Sequence, residues 1–219
     1  MFYSLKRFLT TLLFVVCFAM PTYMAPANEL PADAIVLEAE AGDMDDGVTV
    51  VEMDDAAGGL AIDSLAEART LHEVQIPLAG DWYLWVRILC PDGSQDSYWF
   101  GMDDAFPVPD DGGGQIRIYS AVGDSVNTND QPFNIWFWDF GMDNGSEHSY
   151  FEVDNPGTYT FWSKGREPGT LLDQILLTMD DDYSPEKAFE GEPIIILEAV
   201  HPESKLAVAW GKLKTADGF

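Results

Sequence analysis

The chain is short of cysteine, short of cations and without a helical period, and each shortage excludes something. Its 219 residues hold two cysteines, Cys17 and Cys90. Cys17 falls in an apolar leader, so no internal disulfide can form, and stability outside the cytoplasm has to come from core packing, with or without a metal. Eleven Lys and Arg stand against 38 Asp and Glu, a formal charge of −27. Such a surface repels nucleic-acid phosphates and anionic membranes, which leaves solubility and divalent cations as its uses. The three histidines, His72, His148 and His201, are scattered without metal-ligand spacing. There is no Gly-x-Ser-x-Gly nucleophile turn and no phosphate loop. The abundance of acids makes a chance pair at glycosidase distance inevitable, so it is no sign of hydrolysis. An enzyme is not expected.

Long hydrophobic runs are also missing. Phe8 to Met20 is too short to span a bilayer; it follows Lys6 and Arg7 and precedes Ala25-Pro26-Ala27. That order is a secretory leader with a small-x-small cleavage site. The expected division is a signal peptide over 1–27, a β-domain over 28–183 and a tail over 184–219. The protein is then secreted, periplasmic or on the cell surface, with no membrane insertion once the leader is gone. In the tail, Leu206, Val208 and Trp210 alternate with Ala207 and Ala209 beside Lys205, Lys212 and Lys214. This suits a short strand that packs back on the domain or docks elsewhere, and Pro193–Val200 suits an edge strand.

What is present is a series of short apolar and aromatic runs broken by Gly, Pro, Asn and Asp, which means strands. They are expected near Ala34–Glu40, Val48–Met53, Gly59–Asp63, His72–Ile76, Trp82–Leu89, Asp96–Met102, Gln115–Tyr119, Phe133–Phe140, Ser149–Val153, Gly157–Lys164 and Leu171–Thr178. Spacing of about 8 to 12 residues points to an antiparallel sandwich or barrel. In Asp81–Ile88 one face is Trp82, Leu84, Val86 and Ile88, and the other carries Tyr83, Trp85 and Arg87. Asp103–Gly114, with four Asp, two Pro and three consecutive Gly, reads as a mobile polar loop.

One acid stands out. Asp173 sits near the head of the apolar strand Leu171–Thr178, which holds no Lys or Arg. A carboxylate buried there alone costs several kcal/mol, so it requires a partner. The search leads to the other end of the domain, to Glu38 and Glu40. If Glu38 and Glu40 lie on one strand they project together, and the repulsion between them invites a hard cation. Otherwise they face solvent and Asp173 caps a turn.

The order of Val36-Leu37-Glu38-Ala39-Glu40-Ala41, Ala56-Ala57-Gly58-Gly59, Gly80-Asp81-Trp82-Tyr83-Leu84-Trp85-Val86-Arg87 and Leu172-Asp173-Gln174-Ile175-Leu176-Leu177 resembles carbohydrate-binding modules of the family 6 and family 35 type. The resemblance spans Ile35 to Asp182. It implies an all-β, antiparallel jelly-roll β-sandwich of the galactose-binding-like kind and a non-catalytic protein whose partner is a glycan or polysaccharide. It also implies a structural Ca2+ held by Glu38, Glu40 and Asp173. Such modules carry a ligand residue, commonly Asn, just before the last-strand acid; here Thr170-Leu171-Leu172 contains none. The alternatives are a structural or adhesive surface sandwich without a glycan ligand, and a small hydrolase. Sugars are recognised by an aromatic face and planar polar groups. The expected ligand residues are Trp136 and Trp138, which share a strand face, with Arg166 and Glu167 on the loop before the last strand. Trp136 and Trp138 also suit a core, and Arg166 with Glu167 suits a surface ion pair.

Overall fold

The computed structural model describes residues 30–119, 133–140, 148–185 and 192–194. The leader, His201, most of the expected Pro193–Val200 strand and the stretch around Leu206, Val208 and Trp210 lie outside the described residues. Among the described residues there are thirteen strands. They are β1 (Ile35–Glu38), β2 (Asp43–Met44), β3 (Val48–Glu52), β4 (Leu60–Ser64), β5 (Arg69–Ile76), β6 (Gly80–Leu89) and β7 (Ser97–Met102). After them come β8 (Phe106–Val108), β9 (Ile116–Tyr119), β10 (Trp136–Asp139), β11 (Tyr150–Val153), β12 (Gly157–Gly165) and β13 (Leu171–Thr178). Each of the eleven strands expected between Ala34 and Thr178 has a counterpart, with shifted ends. Expected strand Ala34–Glu40 stops at Glu38, and Ala39–Ala41 form a 3-10 turn. Asp103–Gly114 is not loop throughout. Phe106–Val108 form β8, paired with β11, and Pro107 is buried.

Two antiparallel sheets face each other as a jelly-roll β-sandwich. The smaller runs β2-β5-β12-β7-β9. The larger is built on two long neighbours, β13 and β6. One edge of β13 is shared by β4 and β1, and one edge of β6 by β10 and β11; β3 and β8 lie outermost. From β4 onward the chain crosses repeatedly between sheets, and the two Gly-polar-aromatic strand starts, at Gly80 and Gly157, fall in opposite sheets. The inner faces follow period-two alternation. Trp82, Leu84, Val86 and Ile88 meet Tyr98, Phe100 and Met102 of β7 and Phe161 of β12 in one core cluster.

The larger sheet is also covered on its outer side. Trp85, Trp138, Leu176 and Ile194 form a second cluster with Leu30, Ala34, Val36, Phe140 and Tyr183 around them. The link to residue 194 is specific. The Gln174 amide donates through Nε2 to the Ile194 carbonyl (2.8 Å), and its Oε1 accepts from the Ile194 N–H (2.8 Å). One side chain thus offers the segment after the domain the donor and acceptor of a neighbouring strand.

Candidate functional site

Arg87 answers the question posed by Asp173. The register of β13 against β6 slips between Leu172, opposite Ile88, and Gln174, opposite Arg87. Asp173 occupies that bulge, which re-aims its side chain along the sheet. Its Oδ2 accepts from Arg87 Nη1 in a buried ion pair, and its Oδ1 accepts from the Ala57 N–H at 2.9 Å. Arg87 also donates to the Asp55 carbonyl (3.0 Å) and stacks on the Trp136 ring, 4.9 Å from its centroid. The charge partner is therefore a cation on the neighbouring strand, not the distant glutamates. Sequence reasoning placed Arg87 on the correct face of β6 and passed it over because, finding no cation within β13, it turned to Glu38 and Glu40 instead.

Glu38 and Glu40 are arranged differently from the expectation. Glu40 lies in the 3-10 turn, so strand geometry does not make the two project together. They remain electrostatic neighbours. Burial first, then the Glu40 and Asp173 charges, push the Glu38 carboxyl up to about 7, against the hydrogen bond from Gln174 Nε2 to its Oε1 (3.0 Å). Burial raises Glu40 as well. Glu38 Oε2 and Glu40 Oε2 are buried without a hydrogen-bond partner. The Ala57–Gly59 turn lies against Glu40: a Cβ at Gly58 would stand 3.8 Å from Glu40 Oε1. Two orphaned carboxylate oxygens beside a turn suit a hard cation. The full trio does not close, since Asp173 uses both oxygens elsewhere, and no three His, Cys, Asp or Glu among the described residues group as metal ligands.

Of the expected ligand residues, Trp138 is 1% exposed in the second cluster, and its Nε1 donates to the Glu192 carbonyl at 3.0 Å. It is a core residue and offers no stacking face, because the larger sheet is covered on both sides at that point. Trp136 is 9% exposed and packs with Ala56 and Ala61. Arg166 and Glu167 lie elsewhere, on the β12–β13 loop. They pair at 2.6 Å, and both engage Ser97: Arg166 Nη1 donates to Ser97 Oγ (3.0 Å), which donates to Glu167 Oε2 (2.7 Å). The structure does not bring Trp136 and Trp138 to Arg166 and Glu167.

It brings another tryptophan there. Trp99 in β7 lies opposite Lys164 of β12 on one side and Arg117 of β9 on the other, and Lys164 lies opposite Arg69 of β5. Residues opposed across strands share a face. A single row of Arg69, Lys164, Trp99 and Arg117 therefore crosses four strands, on the side away from the core that Tyr98 and Phe100 enter. Arg117 and Lys164 reach within 5.4 and 5.8 Å of the Trp99 ring centroid. In the adjoining row Trp162 lies across Gly101, where a Cβ would come within 2.0 Å of its ring, and Arg69 covers Trp162 at 4.7 Å. Lys164 pairs with Glu67 at 2.9 Å. Asp96, 1% exposed at the head of β7, has a buried Oδ2 without a partner. Burial and the charge of Glu167 push its carboxyl up to about 6, against Ser97, Arg166 and Arg117. Among the described residues, every Lys and Arg except Arg87 lies in this row or in the Arg166 loop beside it. The signal was available in the sequence: in Ser97–Met102, Trp99 is out of phase with Tyr98, Phe100 and Met102.

No family model and no curated protein sequence matches this chain. Solved structures do. A carbohydrate-binding module of Cellvibrio mixtus lichenase 5A, solved with cellotriose, has a TM-score of 0.44 and 18% identity, over 67% of this chain and 97% of that one. A family 35 carbohydrate-binding module from Clostridium thermocellum has a TM-score of 0.46 and 10% identity, over 68% and 100%. An exo-β-1,3-galactanase from Phanerochaete chrysosporium, solved with galactose, has a TM-score of 0.45 and 13% identity over 67% of this chain, which spans only 30% of the galactanase. All three fall below 20% identity and below a TM-score of 0.5.

Proposed function

We propose that this protein is a non-catalytic carbohydrate-binding domain, delivered outside the cytoplasm by its leader, and that its glycan surface is the outer face of the smaller sheet at Trp99. The observation that carries this reading is the row Arg69–Lys164–Trp99–Arg117, which adjoins the Arg166–Ser97–Glu167 network. An aromatic face serves the C–H side of a sugar, while guanidinium and carboxylate groups serve its hydroxyls. Rows across a sheet are rigid, so the groups are held at fixed spacing before a ligand arrives. Glu38 and Glu40 would hold the structural Ca2+, which would supply positive charge to two buried carboxylates; Asp173 stands behind them, neutralised by Arg87. The orphaned Oε2 atoms support this role. The test is affinity electrophoresis against a panel of soluble polysaccharides, with Trp99→Ala and Arg166→Ala beside the wild type. A retarded wild type and unretarded variants are expected. Retardation that survives both substitutions refutes the face; absence of retardation by every polysaccharide refutes the function.

A further inference from the structure

The outer face of the smaller sheet breaks a local rule. Arg69 of β5 and Lys164 of β12 are directly opposed across two neighbouring strands. Like charges in that position repel, and a chain with 38 Asp and Glu against 11 Lys and Arg has acids enough to avoid it. Sequences break such rules chiefly at functional sites.

The two cations differ in what holds them. Lys164 is 8% exposed, and its Nζ donates to Glu67 Oε2 on a side chain that is 76% exposed. Arg69 is exposed, and no carboxylate among the described residues pairs with its guanidinium. Asp45 approaches the same residue, but its Oδ2 accepts from the Arg69 backbone N–H (3.2 Å). The guanidinium lies instead over the Trp162 ring, 4.7 Å from its centroid. Stacking uses the flat of the group and not its N–H edge. An exposed arginine, held in place and without an acid, is the exception in so acidic a chain.

An anion accounts for both observations. A neutral sugar leaves the repulsion as it was. A carboxylate fits one guanidinium with both of its oxygens and has none left for Lys164. A sulfate ester is tetrahedral, and its three terminal oxygens suffice for the Arg69 fork and for Lys164 once Glu67 swings aside. Exposed ion pairs contribute little, so Glu67 moves readily. Resting on the glycan reading above, we propose that the ligand of the Trp99 face is a sulfated polysaccharide, with one sulfate ester held between Arg69 and Lys164. The protein as a whole repels polyanions, so attraction of one is a property of this face and not of the total charge.

Calorimetric titration of the full chain at moderate salt tests this. The probes are the sulfated, carboxymethylated and uncharged soluble forms of two backbones, dextran and cellulose, matched in size and degree of substitution. At least one sulfated form is expected to bind at least tenfold more tightly than its two counterparts. Arg69→Gln should weaken that binding at least tenfold and leave the uncharged form unaffected. Glu67→Gln, which releases Lys164, should strengthen it severalfold. Asp81→Asn combined with Glu152→Gln removes two negative charges from the exposed edge of the larger sheet and should leave it unchanged. A sulfated form that binds no better than the carboxymethylated one overturns the proposal, as does single-stranded DNA bound equally well. A gain in the Asp81 and Glu152 double variant equal to that in Glu67→Gln overturns it in favour of total charge. Uncharged forms bound as tightly as sulfated ones overturn it while the glycan reading stands; no binding of any form overturns it, and the wider polysaccharide panel then judges the glycan reading separately. Should Arg69→Gln fail to fold, Glu67→Gln still decides the matter.

Discussion

Removing the charge of Arg87 while keeping its bulk probes the interaction that closes the larger sheet around the bulge. Arg87 is 2% exposed and Asp173 is fully buried. In Arg87→Met the stem still packs on Trp136, but Asp173 keeps a single donor, the Ala57 N–H. Breaking a buried pair from one side costs about 3–5 kcal/mol, because it strands an uncompensated charge. That is a large part of the roughly 5–15 kcal/mol that hold a domain folded. At about 2–4 °C per kcal/mol for a domain of this size, Tm should fall by roughly 6–20 °C. Arg87→Met with Asp173→Asn removes both charges, and Asn can still accept from Ala57. This double variant should lie close to the wild type, because replacing both partners of a buried pair is often neutral. Urea unfolding followed by tryptophan fluorescence, with the slope held constant across variants, reads both numbers. A single variant costing less than about 1 kcal/mol, or a double variant whose cost equals the sum of the two single variants, refutes the assignment of Arg87 as the partner of Asp173.

Four further outcomes are expected. Chelator should lower Tm by several degrees and added Ca2+ restore it, since a ligand of the native state stabilises it; Glu38→Gln with Glu40→Gln should abolish the difference, and an unchanged melt in chelator counts against the cation. The Asp96 carboxyl, raised to about 6, stabilises the fold through its protonated form, so its contribution is complete below about pH 4 and disappears as pH rises through 6. Asp96→Asn should flatten the stability profile between those limits, and a profile as steep as the wild type's sinks the idea. Burial among Tyr83, Trp85 and Phe140 holds the His148 ring neutral down to about pH 4, so ring-proton shifts should titrate near 4, not near 6.5, and the stability it contributes is lost as pH falls through that window. Gly101→Ala places a methyl within 2.0 Å of the Trp162 ring, and should cost about 1–3 kcal/mol by displacing it; a melt within error of the wild type would show that the ring yields freely.

The strand pattern was legible because alternation is a local property. A run such as Trp82–Ile88 declares its buried face without reference to anything distant. β2 and β8 were not legible: at two and three residues they carry no period, and only pairing with β5 and β11 makes them strands. Trp138 and Trp136 show the same limit in the site. Alternation put them on one face, but whether that face met a ligand or a second cluster depended on Ile194 and on residues 53–56, which are far away in the chain.

Composition and period alone determined that this is an all-β chain, rich in acids and barely able to spare a cation. Which of those few cations would meet which acid was decided by register. A single extra residue at Asp173 turns its carboxylate toward Arg87, and the alignment of four strands sets Arg69, Lys164, Trp99 and Arg117 in line. The physical reason is that a side chain's face follows from its immediate neighbours, whereas its neighbour across the sheet follows from where the whole strand comes to rest.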